Sequence, residues 1–95
     1  MTKVLFTHEA TDNLISQANF IYKLTLDIEK ADKYLQTMKA HIVQTLGYFP
    51  QLGRNAEEYG KNMRKLVHQH YSILYLLEED AITVVTIYRE NLPSL

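Results

Sequence analysis

The sequence lacks cysteine, long hydrophobic runs and any marked surplus of charge of one sign. Because there is no cysteine, neither a disulfide framework nor a cysteine-based metal site can form. No stretch approaches the roughly 18 apolar residues that a membrane-spanning helix requires. The apolar run near the N-terminus is shorter than the hydrophobic region of a signal peptide. We therefore expect a single cytoplasmic domain over residues 1–95, without membrane contact.

The charges are nearly balanced, with 10 Lys and Arg residues against 11 Asp and Glu residues and a formal net charge of −1. Proteins that bind nucleic acid irrespective of its sequence rely on contacts between basic side chains and phosphates. They usually show a basic surplus or a basic stripe. The balance argues against tight binding of this kind, although it leaves room for a local basic patch.

Helical periodicity dominates the first half of the chain. A short β-rich segment, Lys3–Phe6, precedes Thr7, a residue type that favours helix N-caps. Apolar residues then recur at steps of three and four, which places them on one face of a helix. The first series is Ala10, Leu14, Ala18, Ile21 and Thr25, and the second is Ala31, Leu35, Met38, Ile42 and Leu46. A polar break at 27–32 and Gly47 as a left-handed C-cap predict two helices in an antiparallel hairpin.

The second half of the chain has the composition of β-strands. A turn at 48–54 contains Pro50 and Gly53, and a polar stretch at 55–61 follows it as an exposed loop. Three runs of β-branched, aromatic and aliphatic residues are typical of strands joined by hairpin-length turns. They are Met63–Val67, Tyr71–Leu77 and Ile82–Tyr88. The last run has few charges, so we expect it to lie centrally in the sheet.

The resulting order of elements is β-α-α-β-β-β. Helices that are segregated from strands define the α+β class. We predict a curved, mainly antiparallel sheet with the helix hairpin packed on one face. The edges of such a sheet and the groove beside the hairpin suit a partner peptide that adds a strand or lays down a helix.

This order, with the residues at its joints, resembles the RelE/ParE superfamily of toxins over almost the whole chain. Phe49-Pro50-x-Leu52-Gly53-Arg54 resembles the family's proline–glycine–arginine turn after the second helix. Arg64, followed by Tyr71-x-Ile73-x-Tyr75, resembles the two strands that come next. Residues 82–87, then Arg89-Glu90-Asn91-Leu92 and Leu95, resemble the last strand and tail of ParE-like toxins, which are associated with plasmid stabilisation.

The resemblance implies the toxin of a type II toxin–antitoxin pair, without a cofactor, that is neutralised by a cognate antitoxin wrapped around it. RelE-like members enter the ribosome and cleave mRNA, whereas ParE-like members are associated with inhibition of DNA gyrase. A hetero-oligomer of toxin and antitoxin is expected in either case. A non-toxic relative, which keeps the fold and the antitoxin contact but has lost its target, is a third alternative.

The residues available for chemistry bear on which mode applies. RNA cleavage needs a base for the 2′-hydroxyl, positive charge for the phosphate and an acid for the leaving oxygen. The candidates for these roles are Lys65, Tyr88 and Arg89. However, Ser72 stands where RelE-like members often have arginine, and residues 90–95 offer no good proton donor at neutral pH. Together with the balanced charge, this favours the ParE-like mode, in which the protein poisons its target and is not an enzyme.

Contact with the target or the antitoxin requires a separate set of residues. The candidates are Arg54, Arg64, Arg89 and Leu92. Arg89 is the first choice, because function concentrates near the end of the last strand in this family. His68-x-His70 also offers two imidazoles, but zinc requires three or four ligands and no acidic residue has a matching spacing. We therefore expect an exposed hairpin turn there and no metal site.

Overall fold

The computed structural model describes residues 1–89, and its elements follow the predicted order with one short strand added. The elements are β1 Lys3–Phe6, α1 His8–Thr25, α2 Ile28–Tyr48, β2 Arg54–Asn55, a 3₁₀ turn Glu57–Tyr59, β3 Met63–His68, β4 Tyr71–Leu77 and β5 Ala81–Arg89. Leu92 and the rest of the tail lie outside the described residues, so the predictions made for them stay predictions.

Within residues 1–89, five strands form one sheet in the order β1-β5-β4-β3-β2. β1 pairs with β5 in parallel, from Lys3 opposite Ala81 to Phe6 opposite Val84, and all other neighbours are antiparallel. The α+β class and the mainly antiparallel sheet are therefore confirmed. β5 is an interior strand, as the few charges in its sequence indicate, although β4 occupies the middle position.

Helix α1 begins at the expected N-cap. The Oγ1 atom of Thr7 accepts a hydrogen bond from the amide of Ala10 at 3.0 Å and donates one to the carbonyl of Val85 at 2.6 Å. One hydroxyl therefore caps the helix and ties it to β5. The buried residues of α1 are Ala10, Leu14 and Ala18, whereas Thr25 at its end is exposed.

The connection between the helices is only two residues long. Leu26 adopts a left-handed conformation, with a φ of 54°, and its amide donates to the carbonyl of Tyr22 at 2.6 Å. The carboxylate of Asp27 then accepts from the amides of Glu29 and Lys30 at 3.0 and 3.2 Å. The predicted break at 27–32 is wrong in extent, because its polar residues form the capped first turn of α2.

Gly47 does not end α2 in a left-handed conformation. The helix continues through it to Tyr48, and a Cβ atom at Gly47 would lie 2.7 Å from the Cγ of Met1. The amide of Thr2 donates to the carbonyl of Gly47 at 2.9 Å. The prediction of a C-cap is wrong because this glycine provides room for the N-terminal segment to approach the helix.

The helices cover one face of the sheet, and the main core lies between the two layers. Its buried members are Ala10, Leu14, Met38, Ile42, Leu46, Ile73, Tyr75, Ile82, Val84 and Ile87. Burying a leucine or isoleucine side chain contributes about 1.5–3 kcal/mol, so this layer fixes the orientation of the sheet. No helix in the described part of the chain is long and apolar enough to cross a membrane.

The opposite face of the sheet, called here the open face, carries a second apolar cluster. Ala56, Met63 and Leu74 are buried in it, since side chains alternate between the two faces along a strand. The amide of Ala56 donates to the carbonyl of Met63 at 2.9 Å. The stretch at 55–61 is therefore not the featureless exposed loop that its polar sequence predicts. It contributes to β2 and forms the 3₁₀ turn, which brings Tyr59 beside β3.

Candidate functional site

The turn after α2 is held by a buried tyrosine. The hydroxyl of Tyr75, a fully buried residue, donates to the carbonyl of Pro50 at 2.8 Å and accepts from the amide of Gly53 at 2.9 Å. A Cβ atom at Gly53 would lie 2.8 Å from both the Cε1 atom and the hydroxyl oxygen of Tyr75. Glycine is therefore required here for the turn to reach the sheet.

Arg64 secures the same turn from strand β3. Its Nε atom donates to the carbonyl of Gly53 at 2.8 Å, and its Nη2 atom donates to the carbonyl of Gln51 at 3.1 Å. The guanidinium group is thus held by two backbone acceptors inside its own chain. Arg64, which the sequence indicates as a contact candidate, therefore stabilises the turn within its own chain. Its contact with a partner stays a prediction.

Arg54 lies on the open face, where β2 places it opposite Lys65. Its guanidinium forms two hydrogen bonds with Glu58, at 3.3 Å and 3.0 Å, and a third with the carbonyl of Asn55 at 2.7 Å. The hydrogen bonds between Arg54 and Glu58 raise the pKa of Arg54 and lower that of Glu58. Because the pair is exposed, its contribution to stability is small, and an anionic partner can compete with Glu58.

Lys65 and Tyr88 converge on the open face. The Nζ atom of Lys65 lies 5.7 Å from the centre of the Tyr88 ring, within the range of a cation–π interaction. The pKa of Tyr88 is lowered, and a hydrogen bond from Tyr59 is the largest cause. Burial has a smaller opposing effect, and Ser72 and Lys65 lower this pKa further. The same bond raises the pKa of Tyr59. Tyr88 and Lys65 therefore lie close together on this face.

In the second half of β5, a side chain of α1 accepts the hydrogen bonds of the edge that β1 does not cover. β1 pairs with β5 only as far as Val84. Beyond it, the Oδ1 atom of Asn13 accepts hydrogen bonds from the amide of Ile87 at 2.9 Å and from the hydroxyl of Thr86 at 3.0 Å. A side chain of α1 thus replaces the missing strand and fixes the end of β5.

Arg89, the last described residue, stands exposed at this end of β5, opposite Tyr71. A groove of about 370 Å³ runs here between α1 and the sheet, and its lining includes Phe20, Tyr71 and Arg89. Arg89 therefore lies with Phe20 and Tyr71 on the helix side of the sheet, whereas Arg54 and Lys65 lie on the open face.

His68 contacts a side chain of α2 that the sequence pattern does not indicate. Its imidazole stacks on that of His41 from α2, with ring centres 3.9 Å apart and an interplanar angle of 25°. Burial, and then the neighbouring His41, lowers the pKa of His68. His70 lies instead in the turn, with a φ of 74°, so the two histidines do not share a strand face. Among the described residues, no group of three or more potential ligands could hold a metal ion.

The predicted residues thus fall into separate places. Lys65, Tyr88 and Arg54 share the open face, Arg64 is bonded to the turn, and Arg89 lines the groove beside α1. Sequence reasoning missed Tyr59, because it lies in a stretch without periodicity. It also missed His41, whose position on the buried side of α2 gives no sign of the contact across to β3.

Comparison with known proteins identifies the family. A family model described as the ParE toxin of the type II toxin–antitoxin system parDE matches residues 4–91, which is 88 of the 95 residues. No curated protein matches the chain. Among solved structures, a chain of a chromosomal ParDE toxin–antitoxin system from P. aeruginosa superposes with a TM-score of 0.73 at 20% identity, covering 96% of this chain and 98% of that one. At this identity the structural match supports the fold, whereas the family model covers nearly the whole sequence. The chain belongs to the ParE toxin family of type II toxin–antitoxin systems.

Proposed function

We propose that this ParE-family toxin acts in the cytoplasm by inhibiting DNA gyrase, and that a cognate antitoxin neutralises it by binding its surface. The observation that carries the proposal is the match of the ParE toxin model to residues 4–91. A toxin of this kind needs a surface that recognises a large protein and does not need a complete catalytic site of its own.

The chemistry of the open face supports a protein target over an RNA target. The side chains that β4 and β5 place on this face within the described residues are uncharged, namely Ser72, Leu74, Leu76, Thr83, Val85 and Tyr88. The cations that β2 and β3 add to this face are Arg54, which is paired with Glu58, and Lys65, whose ammonium lies 5.7 Å from the centre of the Tyr88 ring. A face that grips RNA gains its affinity from phosphate contacts, and this face is apolar at its centre, which suits contact with protein.

Ribosome-dependent cleavage of mRNA is the second candidate, and one observation favours it. Tyr88 has a lowered pKa and lies beside the ammonium group of Lys65. In that case Tyr88 would exchange the proton of the 2′-hydroxyl or the leaving oxygen, and Lys65 would stabilise the phosphate charge. It ranks second because Arg89, the third candidate for this chemistry, lies opposite Tyr71 on the helix side of the sheet, whereas Tyr88 and Lys65 lie on the open face.

For the contact with gyrase or the antitoxin, we propose Arg89 as the principal residue. It is exposed, and it has no ion pair with another described residue. Leu92, three positions further on in the sequence, is proposed as an apolar anchor for the partner. Arg54 can join a contact by exchanging Glu58 for a partner carboxylate, whereas Arg64 can do so only at the expense of its bonds to the turn.

Controlled expression in bacteria tests the proposal as a whole. We expect induction of the toxin to arrest growth, and co-expression of its cognate antitoxin to restore growth by forming a toxin–antitoxin hetero-oligomer. Comparing the toxicity of Arg89→Ala with that of the matched variant Lys61→Ala shows whether toxicity depends on the proposed contact residue or on any exposed cation. Unimpaired growth with folded, abundant wild-type toxin would contradict toxicity and favour the non-toxic relative.

A further inference from the structure

Two apolar side chains are exposed on the turn after α2, beside the end of β4. Phe49 and Leu52 are 64% and 55% exposed, and a hollow lies on each side of them. The first hollow, of about 530 Å³, extends to Leu77 and Glu78, and the second extends to Tyr48 at the end of α2. Scattered exposed apolar residues are ordinary on proteins, whereas a contiguous apolar patch marks a surface that contacts another molecule. Phe49, Leu52 and the two hollows are called here the turn patch.

The backbone of the turn patch is fixed at both ends. The amide of Phe49 donates to the carbonyl of Thr45 in α2 at 2.9 Å, and the amide of Leu52 donates to the carbonyl of Phe49 at 3.0 Å. The hydroxyl of Tyr75 and the guanidinium of Arg64 bind the same turn from the sheet. Apolar side chains on a backbone that is already ordered lose little conformational entropy when a partner binds.

The charges beside the turn patch have one sign. Among the described residues, the charged groups that line the two hollows are the carboxylates of Glu78 and Glu79. Both side chains are exposed, and neither forms an ion pair with another residue in the range 1–89. Asp80 continues the acidic run in the turn between β4 and β5. A cation of a partner would therefore meet carboxylates that have no competing ion pair in this part of the chain.

The turn patch and Arg89 lie at opposite ends of β4. Arg89 pairs with Tyr71, the first residue of β4, whereas Leu77 in the first hollow is the last. At about 3.3 Å per residue, this strand of seven residues spans about 20 Å. A segment that occupies one end therefore leaves the other end accessible.

A basic segment of a protein suits this combination of groups. Arginine binds carboxylates through two hydrogen bonds and stacks on aromatic rings, and Glu78, Glu79 and Phe49 line the same hollow. Proteins that bind DNA carry exposed arginine and lysine side chains, because these neutralise the phosphates. DNA gyrase, as an enzyme that acts on DNA, is therefore a partner whose charge complements the turn patch.

We propose that the turn patch binds a segment of the toxin's target in which an arginine stands beside an apolar residue. The arginine pairs with Glu78 and Glu79, and the apolar side chain packs on Phe49 and Leu52. Charge complementarity selects the basic segment, and the exposed aromatic ring supplies an anchor of the kind that dominates protein interfaces. The inference rests on the proposed function, since it names a surface through which the toxin recognises gyrase.

A supercoiling assay with purified DNA gyrase and the full-length toxin tests the apolar contact. The variant Phe49→Ser/Leu52→Ser should raise the toxin concentration that halves supercoiling by about ten-fold or more. The matched control Leu24→Ser/Ile28→Ser replaces two exposed apolar side chains outside the turn patch and should raise that concentration by less than about two-fold. Matching thermal melts would show that both variants fold.

The acidic contact is tested in the same assay by reversing its charge. Glu78→Lys/Glu79→Lys should also raise the inhibitory concentration by about ten-fold or more, because like charges then face each other. Glu9→Lys/Asp32→Lys makes the same change of net charge at exposed positions elsewhere, and it should change the concentration by less than about two-fold.

The outcomes separate this inference from the proposed function. Gyrase inhibition that is as strong in both turn-patch variants as in the wild type would overturn the turn patch as a contact and leave gyrase as the target. No inhibition by the wild type would overturn both. Variants that keep inhibition but lose the antitoxin in calorimetric titration would assign the patch to the antitoxin and overturn the inference. A wild type that dimerises and loses the dimer in Phe49→Ser/Leu52→Ser would assign it to a second copy of this chain, which also overturns the inference.

Discussion

Replacement of Tyr75 by phenylalanine removes the hydroxyl that joins the turn after α2 to the centre of the sheet. The ring still fills its place in the core, because Phe has nearly the same shape. The carbonyl of Pro50 and the amide of Gly53 each lose a partner at 2.8–2.9 Å, in a part-buried and a buried site respectively. A hydrogen bond contributes about 0.5–1.5 kcal/mol net. We therefore expect Tyr75→Phe to lower the free energy of unfolding by roughly 1–3 kcal/mol.

Urea denaturation and thermal melting measure this effect. For a domain of this size, the loss corresponds to a decrease in Tm of roughly 4–24 °C. Tyr48→Phe is the matched control, because Tyr48 is 66% exposed and its hydroxyl has no hydrogen bond within the described part of the chain. A loss below about 0.5 kcal/mol for Tyr75→Phe would refute the reasoning. It would mean that Arg64 alone holds the turn.

Three further predictions concern the same turn, the histidine pair and the open face. Gly53→Ala should destabilise the fold by about 1–3 kcal/mol in urea denaturation, because the new methyl group meets Tyr75. The pKa of His68 is lowered in the folded state, so unfolding takes up a proton. Stability should therefore fall as the pH drops below about 6.5, the ordinary histidine value, and His68→Gln should reduce that fall. Tyr59→Phe should raise the pKa of Tyr88 in a spectrophotometric titration, since it removes the hydrogen bond that lowers this pKa most.

Each of these predictions has a result that contradicts it. An unchanged midpoint for Gly53→Ala would show that the turn can move away from the sheet. A stability that is flat between about pH 7 and about pH 5, or equally steep in His68→Gln, would exclude the stacked pair as its cause. A pKa of Tyr88 that does not change in Tyr59→Phe would mean that Ser72 or Lys65 controls it.

The periodicities of apolar residues are local in the sequence, and they predict the order of helices and strands well. Ala31, Met38, Ile42 and Leu46 recur at helical steps and are all buried, since a helix must turn one face to the core. Failures occur where a distant contact decides the outcome. Gly47 is typical of a helix end, but its role is set by Met1, which lies 46 positions earlier in the chain.

The candidate site was harder to predict for the same reason. Lys65 and Tyr88 are 23 positions apart, and the pairing of β3, β4 and β5 brings them together. The guanidinium of Arg64 binds the carbonyls of a turn 11 and 13 positions earlier, which no spacing along β3 indicates. A sequence pattern shows which side chains are present, whereas their partners follow from strand register and turn geometry.

The most direct test of the central claim is a supercoiling assay with purified DNA gyrase and purified toxin, run beside a translation extract in which mRNA cleavage is read by primer extension. We predict that the toxin abolishes supercoiling or traps cleaved DNA, that the antitoxin prevents this, and that the mRNA stays intact. Codon-phased mRNA cuts with active gyrase would contradict the account and would make Lys65, Tyr88 and Arg89 the residues to replace.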